Sequence, residues 1–113
     1  MKWTKYKGNP VLGDKNLGPI FDIAVIYENK TYIMYCSWRK MGGIAVTYSE
    51  NGINWTTPKL VLNGIPNSTW ERRVNRPIVG KLNNTWHMWY TGQNPSSKYS
   101  AIGLGLSALM VMV

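Results

Sequence analysis

Apolar and polar positions alternate along most of this chain. Thr31–Trp38 reads TYIMYCSW and Gly43–Ser49 reads GIAVTYS. Short alternating runs bounded by Gly, Asn, Ser and Pro predict strands and turns. A further run covers residues 23–27 and ends in the turn Glu28-Asn29-Lys30, and another covers Lys59–Leu62. No stretch of useful length carries a helical period. The predicted class is all-β.

The strand pattern recurs. Residues 74–92 (VNRPIVGKLNNTWHMWYTG) run parallel to residues 21–37 (FDIAVIYENKTYIMYCS). Tyr32, Met34 and Tyr35 fall opposite Trp86, Met88 and Trp89, and IAVTYS at 44–49 falls opposite IGLGLS at 102–107. The copies lie about 53 to 58 residues apart, a spacing that signals a repeat architecture. Three strands per copy, with KLVL as a fourth, give an antiparallel unit the size of a β-propeller blade. At the front, Trp3 followed by Pro10-Val11-Leu12-Gly13 parallels Trp55 followed by Leu60-Val61-Leu62-Asn63-Gly64.

The predicted architecture is about two four-stranded antiparallel blades, an incomplete propeller, forming one partial domain over residues 1–113. Residues 1–20 supply a closing outer strand and loop, 21–64 a full blade, and 65–113 a second, truncated blade. Closure takes at least four blades, and stacked repeats expose faces that need neighbours. The chain is therefore expected either to associate with copies of itself through those faces or to be a truncated product of a longer protein. The apolar tail after Ser107, where SENGINW of the first copy gives way to SALMVMV, favours truncation.

Composition narrows the function classes. Hydrophobic residues make up 44% of the 113, enough for a packed core. Six Trp and seven Tyr stand against one Phe; such flat rings with polar tips suit strand cores and also surfaces that stack on sugars. The net charge of +8 raises nucleic acid as a partner. The bases are scattered, however, and no recognition helix, zinc-finger spacing or RNA-recognition signature accompanies them. No nucleic-acid partner is expected.

Cys36 is the single cysteine, so no internal disulfide forms; its apolar strand reads as a burial site for a structural thiol. One His and one Cys supply neither a metal cluster nor a Cys–His nucleophile pair. His87 alternates within TWHMWY and reads as a packed or half-exposed strand residue. Gly103 and Gly105 follow no phosphate-loop spacing, and no cofactor is implied. The first ten residues lack a signal-peptide core, and the apolar tail is too short and glycine-broken to span a membrane. A soluble cytoplasmic protein with no membrane partner is the expectation. The triplets beginning at Asn29, Asn54, Asn67 and Asn83 then read as turn chemistry rather than glycosylation sites.

FDIAVI, YIMYCSWRK, IAVTYSENGINW, WERRVNRPIV and WHMWYTGQ, in that order and spacing, resemble the first blades of the five-bladed propeller glycosidases around glycoside hydrolase families 32 and 43. The resemblance spans residues 3 to about 107. It implies a carbohydrate-active domain whose partner is an oligosaccharide or glycan. In such enzymes a first-blade Asp near the start of the innermost strand is nucleophile or base, a second-blade Asp supports it, and a Glu from a later blade is the acid.

Asp22, in Phe21-Asp22-Ile23, stands at the first-blade position and is the catalytic candidate; the alternative is a strand-entry Asp that hydrogen-bonds the turn. The family often has Pro after this Asp, where this chain has Ile23. Glu71 precedes the inner strand of the second blade and either approaches the axis or pairs with Arg72, Arg73 or Arg76. The supporting Asp is absent: Arg76 precedes Pro77, with Asn75 before it. An Arg there can bind a substrate carboxylate or hydroxyl through its planar fork. Trp38 and Arg39 end the second strand of the first blade and either contact sugar or pack the rim. Asp14, Glu28 and Glu50 read as loop and turn residues. No candidate exists for the general acid, so little or no hydrolysis is expected of this chain alone. The competing reading is a non-catalytic carbohydrate-binding or assembly module.

Overall fold

The computed structural model describes residues 1–107. Seven strands form two antiparallel sheets. β1 (Ile20–Glu28), β2 (Thr31–Trp38), β3 (Gly43–Ser49) and β4 (Lys59–Leu62) lie in the order β1-β2-β3-β4. β5 (Arg73–Leu82), β6 (Thr85–Gln93) and β7 (Ser100–Ser107) form the second sheet in the order β5-β6-β7. These are two blades of a partial β-propeller, one of four strands and one of three. The apolar tail that suggested truncation falls at 108–113, outside the described residues.

Turn chemistry sets each register. The β1–β2 hairpin turns at Asn29 and Lys30 (φ 51° and 60°), and β5–β6 turns at Asn83 and Asn84 (φ 52° and 65°). Two successive positive-φ residues match the right-handed strand twist, and Asn tolerates that region. After β3 the SENGINW segment works differently from a simple Asn-Gly turn. Only Gly52 has positive φ, at 77°. Asn51 acts through its side chain, where Oδ1 accepts from the Ile53 and Asn54 amides at 2.9 Å each. The Trp55 indole then donates back to the Gly52 carbonyl at 3.1 Å.

One apolar cluster joins the sheets. Ile33, Tyr35, Ile44 and Val46 of the first sheet meet Val74 and Tyr90 of the second, with Ile26, Tyr48, Val79 and Met88 packed around them. Across the same seam the Val74 amide donates to the Gly42 carbonyl at 3.3 Å. A glycine allows the second sheet its own close contact: a Cβ on Gly92 would stand 2.5 Å from the Trp70 ring, which stacks on Tyr90 with centroids 6.1 Å apart.

Residues 1–19 hold no strand, so the outer strand expected around residues 10–13 does not form. A strand needs a ladder partner, and the described residues contain no third sheet to provide one. Trp3, which parallels Trp55 in the sequence, is exposed. The segment is tied down only at its end. The Trp38 indole donates to the Leu17 carbonyl at 2.8 Å and the Arg39 amide to the Pro19 carbonyl at 3.2 Å.

Candidate functional site

The inner strands of both sheets are interrupted at the same place. In β1 the ladder slips between Phe21 and Ala24, where Asp22 and Ile23 together oppose the single residue Cys36. In β5 it slips between Asn75 and Ile78, where Arg76 and Pro77 together oppose Tyr90. Asp22 and Arg76 both adopt left-handed backbone, with φ of 50° and 54°. Such bulges re-aim a side chain, and positive φ at a non-glycine residue costs free energy that the surroundings must supply. Part of that support is visible: the Arg76 amide donates to Ser37 Oγ at 2.8 Å, and Ser37 is buried. Arg76 Nε reaches Asp22 Oδ2 at 3.5 Å, with both side chains open to solvent.

A cleft of about 200 Å³ opens between the two sheets at this end, walled by Phe21, Ser37, Trp38, Arg39, Arg73, Val74, Asn75 and Gln93, with Gly42 and Gly43. Phe21 and Asn75, each the residue before a bulge, place the cleft beside the Asp22–Arg76 pair. Arg39 opens a short 3-10 turn (Arg39–Met41) after β2, and its guanidinium lies 4.9 Å from the centre of the Phe21 ring. That stacking holds a cation on an aromatic face. Asn75 Nδ2 donates to Gln93 Oε1 at 2.8 Å, while Asn75 Oδ1 is buried with no partner among the described residues. A buried acceptor without a donor is rare in folded proteins.

Of the six candidates read from sequence, Trp38, Arg39 and Asn75 line this cleft, and Asp22 and Arg76 pair at its border. Glu71 does not line it. Neither does it pair with an arginine: its Oε1 accepts the Tyr90 hydroxyl at 3.0 Å, and its amide donates to Ser68 Oγ at 3.0 Å. Trp70 stacks on Tyr90 and so carries the adjoining Glu71 onto the phenol rather than toward the cleft. Burial, then the hydrogen bond and charge of Glu71, push the Tyr90 phenol above its ordinary pKa.

Sequence reasoning missed Phe21, Ser37, Arg73 and Gln93. The repeat contained a signal for Gln93, which follows Gly92 as Arg39 follows Trp38. Ser37 had none, since its role is to receive an amide from the other sheet.

The remaining acids lie away from the cleft. Asp14 Oδ1 accepts from the Asn16 and Leu17 amides at 2.8 and 2.9 Å. Glu28 pairs with Lys81 at 3.2 Å across the sheets, and Glu50 is exposed in the hairpin after β3. Asp22 is therefore the one carboxylate at the cleft among the described residues. No group of three or more His, Cys, Asp or Glu suited to a metal occurs among those residues, and no helix there is long and apolar enough to cross a membrane.

No protein-family model matches this chain. No curated protein matches it either. Solved structures do. It is similar to an exo-1,5-alpha-L-arabinanase from a bovine ruminal metagenomic library (TM-score 0.61, 23% identity), with 81% of this chain matched to 32% of that one. It is similar to the arabinanase of Bacillus subtilis (TM-score 0.63, 22% identity), with 81% matched to 34%. A family 117 glycoside hydrolase from the marine bacterium Zobellia galactanivorans matches over 96% of this chain and 40% of its own length (TM-score 0.74, 16% identity). The chain thus shares the fold of glycoside hydrolases and spans between 32% and 40% of the length of these three.

Proposed function

We propose that this chain carries one half of a glycosidase-like site, binding an oligosaccharide in the cleft between its two blades with Asp22 as the nucleophile or base. The observation that carries this reading is the Asp22 carboxylate, held on a positive-φ bulge, paired with Arg76, and bordering a cleft with Trp38, Arg39 and Asn75 in its walls. An indole face stacks on a sugar ring. Guanidinium and amide groups hydrogen-bond its hydroxyls. The arabinanase names of two structural neighbours make arabino-oligosaccharides the first ligands to try.

Glycosidic cleavage by the usual route requires a second carboxyl group, about 5–9.5 Å from the first, to protonate the leaving oxygen. The described residues offer none at the cleft. The chain by itself therefore binds rather than cleaves. A titration of the protein with neutral oligosaccharides, followed by the NMR shift of the Trp38 indole proton, tests this together with an aryl-glycoside assay. Saturable shifts without turnover are expected. Turnover that disappears in Asp22→Asn would overturn the assignment of inactivity, and absence of binding across the panel would overturn the site itself.

The missing second carboxylate also favours a second reading, a carbohydrate-binding module with no catalytic history in this cleft. Affinity that survives Asp22→Ala unchanged selects that reading.

A further inference from the structure

Each sheet has two faces, and the joint between the sheets uses one face of each. The face of the first sheet bearing Ile33, Tyr35, Ile44 and Val46 is buried against the second sheet. The bulges fix which residues of the second sheet correspond: Tyr35 to Trp89, Ile44 to Ile102, Val46 to Leu104. Those counterparts are exposed, Ile102 at 68% and Leu104 at 50%. On the opposite face of the first sheet Met34, Cys36, Ala45 and Thr47 are buried, and the mirror situation holds along β1. Pro77 is buried and Val79 half-buried in the seam, whereas their counterparts Ile23 and Val25 are exposed at 57% and 47%. The molecule thus presents one unfilled socket and one unfilled plug of the same kind as its own internal joint.

We propose that a second copy of this chain fills that socket, the β1 face of one copy packing head to tail on the β6–β7 face of the next, in the manner that β5 packs on the first sheet.

Three polar contacts of the internal joint support a second copy as the occupant, because each has a complementary replacement at the joint between copies. Internally, Asp22 meets Arg76 at 3.5 Å. Between copies the corresponding positions are Arg76 on the socket side and Asp22 on the incoming side, so the charges again attract. Internally, the hydroxyl of Ser37 accepts the Arg76 amide at 2.8 Å. Its counterpart is Thr91, again a hydroxyl, facing the Asp22 amide. Internally, Glu28 pairs with Lys81 at 3.2 Å. Their counterparts are Leu82 and Tyr27, so an ion pair is replaced by an apolar pair rather than by one unpartnered charge. A face that merely happened to be apolar would not keep all three matched. Joints of this heterologous type propagate, closing into a ring when the rotation permits.

The test is the mass of the full chain in solution by analytical ultracentrifugation, from micromolar to near-millimolar concentration. Multiples of 12.9 kDa that grow with concentration are expected. Leu104→Lys spoils the socket and Val25→Lys spoils the plug; each alone is expected to sediment as a monomer. Mixed, they retain one intact socket and one intact plug between them. They are expected to form a complex of two chains and no larger, which also shows that both variants are folded. A wild-type chain that stays monomeric throughout overturns the proposal. A two-fold contact of socket on socket would leave association intact in Val25→Lys and give no rescue on mixing, and that result overturns it as well.

Discussion

Arg76 stands in the second sheet where Asp22 stands in the first, and its Nε lies 3.5 Å from the Asp22 carboxylate. Two copies of one strand pattern have placed opposite charges on equivalent bulges, and adjacent packing of β1 and β5 brings them together. Both side chains are open to solvent, so the ion pair itself stabilises the fold by no more than about 1 kcal/mol. The backbone is the more sensitive element. Asp and Asn tolerate left-handed φ, whereas a β-branched residue does not. Asp22→Asn is expected to leave the urea midpoint nearly unchanged while removing the charge. Asp22→Val is expected to lose about 1–3 kcal/mol from the strain at φ 50°. Equal midpoints for the two variants would show that the bulge relaxes freely.

The seam between the sheets predicts cooperative unfolding. Ile44 is fully buried in the cluster that includes Val74 and Tyr90 of the other sheet. Ile44→Ala is expected to cost about 2–5 kcal/mol. Because the cavity lies within a shared core, β-sheet circular dichroism and Trp fluorescence should shift together in one transition. Two separated transitions would mean that the blades fold independently.

Strand order and period were legible because alternation and turn residues are local properties. β2, β3 and β4 fall where the pattern placed them, and β1 extends three residues earlier because the Asp22–Ile23 bulge breaks the alternation that would have revealed it. The cleft was partly legible. Trp38 ends β2, Arg39 follows it and Asn75 lies near the start of β5, near where the motif positions them. The partner of Glu71 was not legible, because nearby arginines suggest ion pairs while Tyr90 is a hydroxyl nineteen residues away brought in by the stacking of Trp70. Residues 10–13 look like an outer strand by sequence and form none, since strand formation depends on a partner that local sequence does not encode.

The Tyr90–Glu71 contact carries its own expectation. Tyr90→Phe removes the donor and leaves a half-buried carboxylate oxygen short of one hydrogen bond, at a cost of about 1–2 kcal/mol. Glu71→Gln keeps an acceptor but removes the charge, and is expected to lower the Tyr90 pKa toward that of an ordinary phenol, because burial and the hydrogen bond then raise it without the charge. Ultraviolet titration of the phenolates in the two proteins measures the difference. An unchanged titration curve would mean that Glu71 does not act on Tyr90 in solution.

Alkaline pH should unfold this protein earlier than its core size suggests. Burial, reinforced by the nearby Tyr48, pushes the Tyr35 phenol up to about 12 from its ordinary 10.0. Burial raises Tyr48, Cys36 and Tyr90 in the same direction. For each group the neutral form is the one the fold favours. Below pH 10 the folded and unfolded chains hold the same phenolic protons, and this source of stability is fully present. Between 10 and about 12 the unfolded chain releases the Tyr35 proton while the folded chain retains it, so stability falls as pH rises. Tyr35→Phe keeps the ring and removes the titrating hydroxyl. Its urea midpoint is expected to decline less steeply over that interval than that of the wild type, with the two curves parallel below pH 9. Parallel curves across the whole range would mean that the Tyr35 phenol ionises in the folded protein as freely as in the unfolded chain.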